Sequence, residues 1–163
     1  MVGDSSVKDR RTIIAGIGNR LLGDDGFGPR VTDLLNNMPL PEHIEVRDMG
    51  TAGKTIATDL SDFQRAIFLD TMTMDGEPGK LYLTKLQVDE PIEDIADLSW
   101  MSLQEVGLEG LLKFAKAINV LPEEILLIGC NPKTVEVGLE LSDEVEAATH
   151  EAVEIVLDLI EGG

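Results

Sequence analysis

At 163 residues and 17.7 kDa the chain has the length of one domain, spanning 1–163, with a polar first ten residues (MVGDSSVKDR) expected to be flexible. Hydrophobic residues make up 43% and charged residues 27%, enough apolar matter to close a core and too much for a disordered chain. Thirteen Lys and Arg against 31 Asp and Glu leave a net charge of −18, which repels phosphate backbones and anionic lipid and so excludes a nucleic-acid binder. The lone cysteine, Cys130, excludes an internal disulfide framework and a cysteine-rich metal site. With no long apolar run and no leader pattern, neither a membrane span nor a signal peptide is expected, and the expected compartment is the cytoplasm.

Thr12 to Gly18 is a short, β-branched apolar run ending in glycine, which predicts a buried strand. A Gly- and Asp-rich loop, Asn19 to Gly28, follows. Pro29 then suits a first helical position, and Val31, Leu34 and Leu35 give the stripe of a helix ending near Asn37. Ile44 to Asp48 alternates as a second strand, Gly50 to Gly53 is a turn, and Lys54 to Leu60 fits a short helix. Arg65 to Asp70 predicts a third strand with a carboxylate at its C-terminal end. After the Asp75–Gly79 turn, Lys80 to Leu83 predicts an edge strand in hairpin relation to the strand before it. An acidic connector (Asp89 to Asp97) leads to helical spacing over Val106 to Ile118. Glu124 to Gly129 predicts the last buried strand, and Ser142, Glu146 and an apolar set from Val145 to Ile160 predict a closing helix. This strand–helix alternation predicts an α/β fold: a mostly parallel sheet covered on both faces, with its working surface beyond the carboxyl ends of the strands.

The loop after the first strand carries the most chemistry. Gly16-x-Gly18 suggests a dinucleotide fingerprint, but the third glycine position is Leu21, and Asp24 and Asp25 stand where a pyrophosphate would need donors and no negative charge. An Asp here can cap the following helix, worth ~1 kcal/mol, but one Asp suffices for that. The second, flanked by Gly23, Gly26 and Gly28, sits on backbone able to approach a ligand closely. Asp70 ends the third strand in the matching place. Adjacent strands would bring Asp25 and Asp70 to one cleft, where two carboxylates share a proton or a cation. On chemistry alone a structural and a functional role for the pair stand level.

The run Gly16-Ile17-Gly18-Asn19-Arg20-Leu21-Leu22-Gly23-Asp24-Asp25-Gly26-Phe27-Gly28 resembles the opening signature of the hydrogenase maturation endopeptidases. Asp48-Met49-Gly50-Thr51, Ile67-Phe68-Leu69-Asp70 and Ile128-Gly129-Cys130-Asn131-Pro132 extend the resemblance in order, from about Ile13 to the final helix. It implies a three-layer α/β/α sandwich around a twisted, mostly parallel five-stranded sheet. It also implies an endopeptidase that removes the C-terminal extension of a nickel–iron hydrogenase large-subunit precursor once nickel is inserted. Catalytic and metal-contacting roles carry over to Asp25 and Asp70. The family's histidine, in Ser-x-His-x-x-Gly, is Gln104 here, within Ser102 to Gly107. Glutamine offers a carbonyl oxygen and no imidazole, so the trio Asp25, Asp70 and Gln104 should hold a free ion weakly. Nickel is therefore expected as part of the substrate and not as a resident cofactor. Glu105 is a fallback ligand about 100° around a helix from Gln104. His43 precedes the second strand and His150 lies in the closing helix, so neither replaces the histidine.

Asp48, Gly50 and Thr51 are expected to recognise substrate, and Trp100 and Met101 to contact the precursor or anchor their loop. Cys130, ending a strand without a histidine partner, is expected to be an inert core residue. The partner expected is the precursor, with the enzyme itself a monomer. The rival reading is a non-catalytic metallochaperone or scaffold that holds the nickel-loaded precursor without cutting it.

Overall fold

The computed structural model describes residues 10–50, 59–87 and 108–162. The N-terminal segment, the turn expected through Gly53, most of the short helix expected from Lys54, the acidic connector, Trp100, Met101, Gln104 and Glu105 all lie outside the described residues.

Five strands form one sheet: β1 (Thr12–Ile17), β2 (Ile44–Gly50), β3 (Arg65–Thr71), β4 (Leu81–Lys85) and β5 (Glu124–Cys130), in the order β2-β1-β3-β5-β4. β2, β1, β3 and β5 are mutually parallel, and β4 is antiparallel at the edge. β1 is buried throughout, as its unbroken apolar run requires of a strand covered on both faces. Side chains alternate between two cores. Ile14, Ile67, Leu69 and Ile128 pack under α1 (Phe27–Asn36) and α3 (Asp143–Gly162), whereas Ile13, Ala15, Phe68 and Leu127 pack under α2 (Leu108–Ala117). The layers are helices, sheet, helix.

Three local expectations change. β4 makes no ladder with β3. The second edge of β3 is taken by the more apolar and almost wholly buried β5, which leaves the outer edge of β5 to the half-exposed Leu81–Lys85. Helix α1 begins two residues earlier than Pro29 suggests. Proline remains within the first turn, where its missing N–H would have had no helical partner. Neither Asp24 nor Asp25 caps α1, whose cap position is Gly26 without a side-chain bond. No helix among the described residues is long and apolar enough to cross a membrane.

The topology places a crevice. β1 runs through α1 to β2 on one side of the sheet, while β3 and β5 lie on the other, so the loops after β1 and β3 diverge between neighbouring strands. Gly16 of β1 is paired with Leu69 of β3, and each chain then delivers its carboxylate just beyond that pair.

A carboxylate cleft at the switch point

Asp25 leaves a short 3-10 turn, Gly23–Gly26, and Asp70 is the penultimate residue of β3. Both are half-buried. They converge on Thr71, whose hydroxyl donates to Asp25 Oδ1 at 2.9 Å and whose backbone N–H donates to Asp70 Oδ1 at 2.8 Å. Asn19 N–H donates to the other oxygen of Asp25 at 2.8 Å. Neither carboxylate forms an ion pair among the described residues. Burial drives the Asp70 carboxyl up from 3.8 to about 7; the Thr71 N–H pulls the other way, and the charge of Asp25 adds to the rise. The cleft thus presents two carboxyl groups in one another's field, one of them close to half-protonated at neutral pH.

Thr71, which touches both carboxylates, is not singled out by the sequence. Its only signal was its position directly after a strand-end aspartate. A hydroxyl there can hold the aspartate of the adjacent strand's loop while the main chain holds its own.

Asp24 is different from its neighbour. It is completely buried, and it accepts hydrogen bonds from the N–H groups of Lys133 (2.8 Å), Thr134 (3.0 Å) and Ser142 (2.7 Å) and from the Ser142 hydroxyl (2.9 Å). Burial pushes its carboxyl up, but these donors outweigh it, and the net direction is down. Asp24 is a brace: it ties the first loop to the loop after β5 and to the start of α3, where Ser142 accepts from Val145 N–H.

Glycines around the acids also make room for the protein's own backbone. Gly18 has φ of +141°, and a Cβ there would overlap the carbonyl of Asp25. Side chains at Gly16 or Gly28 would collide with main chain where α1 meets β1 and β3. The motif is a device for bringing a helix start close to the sheet.

Asp48 is engaged by Arg20, at 2.6 Å from Nη2 and 3.0 Å from Nε. Arg20 also grips Asp33 of α1 at 2.7 and 2.8 Å, and these two partners raise its pKa further. Asp48 thereby links the end of β2 to the first loop. Gly50 closes β2 opposite Ile17. Thr51 and Gln104 lie outside the described residues, and among those residues no group of three His, Cys, Asp or Glu is placed to hold a metal ion. His43 sits at the other end of the sheet, its carbonyl bonded to Thr12 N–H, and His150 is exposed on α3 beside Glu146 at 3.6 Å. Cys130 is fully buried, with its thiol pushed up to about 12 chiefly by that burial, as expected of a core residue.

Asn131, next along, is a second unforeseen brace. Its side chain accepts from Met74 N–H and donates to the carbonyls of Gly76 and Glu77, fixing the loop that leaves the cleft after Asp70.

Residues 29–159 match the HycI hydrogenase maturation protease family. The chain is 34% identical over 156 residues to a putative hydrogenase maturation protease of Methanocaldococcus jannaschii, covering 93% of this chain and 97% of that one. It is 28% identical over 149 residues to the hydrogenase 2 maturation protease of Escherichia coli, covering 90% and 88%. The crystal structure of a hydrogenase 2 maturation peptidase from Thaumarchaeota archaeon SCGC_AB-539-E09, 57% identical, superposes with a TM-score of 0.73 over 93% of this chain and 99% of that chain. Fold and sequence agree over nearly the whole length, and the chain belongs to the hydrogenase maturation protease family: it is a peptidase.

Proposed function

We propose that this peptidase removes the C-terminal extension of a nickel–iron hydrogenase large-subunit precursor after nickel has been inserted. The observation that carries the reading is the pair of carboxylates, Asp25 and Asp70, joined through Thr71 at the mouth of the sheet. Two carboxylates supply too few donors to fill the coordination sphere of a divalent ion but suit an ion that arrives already liganded. Nickel enters here as part of the substrate. Asp25 and Asp70, with Gln104 completing the set, contact it and set the scissile carbonyl in register, and such positioning supplies several kcal/mol of a barrier. Burial holds the Asp70 carboxyl at about 7 in the free enzyme, and contact with the substrate's ion lowers it, so the ionised pair Asp25 and Asp70 is the base that activates water. The cleavage is then of the aspartic type. Asp48 and Gly50, at the end of β2, recognise the precursor together with Thr51, the next residue in the sequence. The enzyme works as a cytoplasmic monomer.

Family membership supports cutting over the metallochaperone or scaffold alternative. The experiment mixes the protein with purified nickel-loaded precursor and follows the precursor's C-terminal mass. Loss of a short tail is expected with the wild type and not with Asp25→Asn. Tight binding with no change of mass would overturn the reading, and undiminished processing by Asp25→Asn would remove that residue from the mechanism.

A further inference from the structure

The loop between β5 and α3 is turned inside out. The carbonyls of Thr134 and Gly138 accept the N–H groups of Asp24 and Gly23, both at 2.9 Å, and Gly138 N–H donates to the Leu21 carbonyl at 2.8 Å. With the Asp24 carboxylate on Lys133 and Thr134 as well, this loop turns backbone groups of Lys133, Thr134 and Gly138 toward the first loop. Its apolar side chains are left in water: Val135 is 52% exposed, Val137 87% and Leu139 77%, beside Leu21 at 59%. Isolated exposed apolar residues are ordinary. Four on two segments clasped by backbone hydrogen bonds make a patch whose burial is favourable, and such patches mark interaction sites.

We propose that this patch is the docking surface for the polypeptide substrate, taking an apolar segment of the precursor flanked by basic residues. The inference rests on the peptidase reading above. Three observations choose this occupant. The patch is bonded to the loop that carries Asp25, so a chain engaged by the carboxylates has it within reach. Glu136 and Glu140 alternate with the apolar residues, are exposed, and form no ion pair among the described residues, whereas the cation of the same loop, Lys133, is held by Glu144 at 2.9 Å. The negative fringe therefore favours a cationic partner. A second copy of the chain is disfavoured, because each copy carries −18.

The test is the double variant Val137→Ser/Leu139→Ser, whose positions are exposed and outside both cores. Binding of nickel-loaded precursor is measured by biolayer interferometry and its processing by mass spectrometry. Losing two apolar anchors is expected to weaken binding and raise KM by about tenfold while kcat stays within about twofold. Raising the salt concentration should weaken wild-type binding further. Wild-type cleavage with unchanged affinity and KM in the variant overturns the docking surface and leaves the peptidase reading intact. Binding that the variant loses, in a wild type that never cuts, overturns the peptidase reading and keeps the surface. A wild type that is dimeric by light scattering and a variant that is monomeric, with KM unchanged, would assign the patch to self-association instead. A wild type that neither binds nor cuts the precursor overturns both.

Discussion

Asp70→Asn should make the protein more stable and less active, and the stability gain should depend on pH in a defined direction. The carboxyl titrates at about 7 in the folded chain against an ordinary 3.8, so the fold favours its neutral form. Below 3.8 the group is protonated in folded and unfolded chains alike and costs nothing. As pH rises the unfolded chain ionises first, and stability falls until the folded form ionises too, at about 7; the penalty is then complete. At ~1.4 kcal/mol per tenfold in proton affinity its ceiling is ~4 kcal/mol. Asp70 is only half-buried, and water and backbone relaxation screen part of this, so the expected gain for Asp70→Asn is ~1–3 kcal/mol near pH 8. Asparagine keeps a carbonyl oxygen for Thr71 N–H, so the substitution removes the charge without orphaning the donor. Urea unfolding of both proteins near pH 4, 6 and 8 measures it. A gain that is the same at every pH, or that grows toward acid, would refute the assignment of burial as the cause.

Asp25→Asn should lower the titration point of Asp70, because the negative charge of Asp25 helps to raise it; carboxyl-carbon NMR titration reads the shift, and no movement would deny the coupling. Asp24→Ala leaves the N–H groups of Lys133, Thr134 and Ser142 without their acceptor and should cost ~2–4 kcal/mol in denaturant unfolding near pH 7. Because the Asp24 carboxyl lies below its ordinary 3.8 in the fold, its stabilisation is present above that value and is lost as pH falls through the lowered folded one, so the gap between wild type and Asp24→Ala should close in acid. Thr71→Val removes the hydroxyl bonded to Asp25 and should lower kcat by about tenfold with KM little changed, while Thr71→Ser restores it; equal loss in both variants would point to packing and not to the hydrogen bond.

What the chain declares about itself depends on how local the deciding contacts are. The unbroken apolar run of β1 and the alternation of strand and helix predict a parallel sheet covered on both faces, and the sheet has that form. Asp25 and Asp70 can be proposed as a pair because each follows a buried strand directly, and position relative to a strand end is written in a few residues. The partner of β4 cannot be read that way. It depends on which strand claims the free edge of β3, and β5 lies some forty residues further along the chain. The same is true of Asp24, whose acceptor role is settled by donors 109 to 118 residues away. An Asp before a helix suggests a cap for that helix, yet this one supports the last helix and not the next. Thr71 becomes informative only once β1 and β3 are known to be neighbours.

Asp24 and Asp25 show how one dipeptide can meet opposite demands. In the role proposed for Asp25 a carboxylate has to keep lone pairs free for a substrate, and a half-buried charge with few partners does little to restrain its loop. Asp24 supplies the restraint one residue earlier: four hydrogen bonds fix the loop to two distant segments, and its carboxylate is fully occupied. Asp25, bonded by one donor on each oxygen, then inherits a defined position while retaining acceptor capacity. Exchange of the two roles is blocked on both sides. Asp25 lacks the ring of backbone donors, and Asp24 is sealed from solvent. The destabilising group at the cleft is Asp70, on a strand, where the surrounding core can hold an unfavourable charge in place; the member of the pair carried on a loop is the one given a brace.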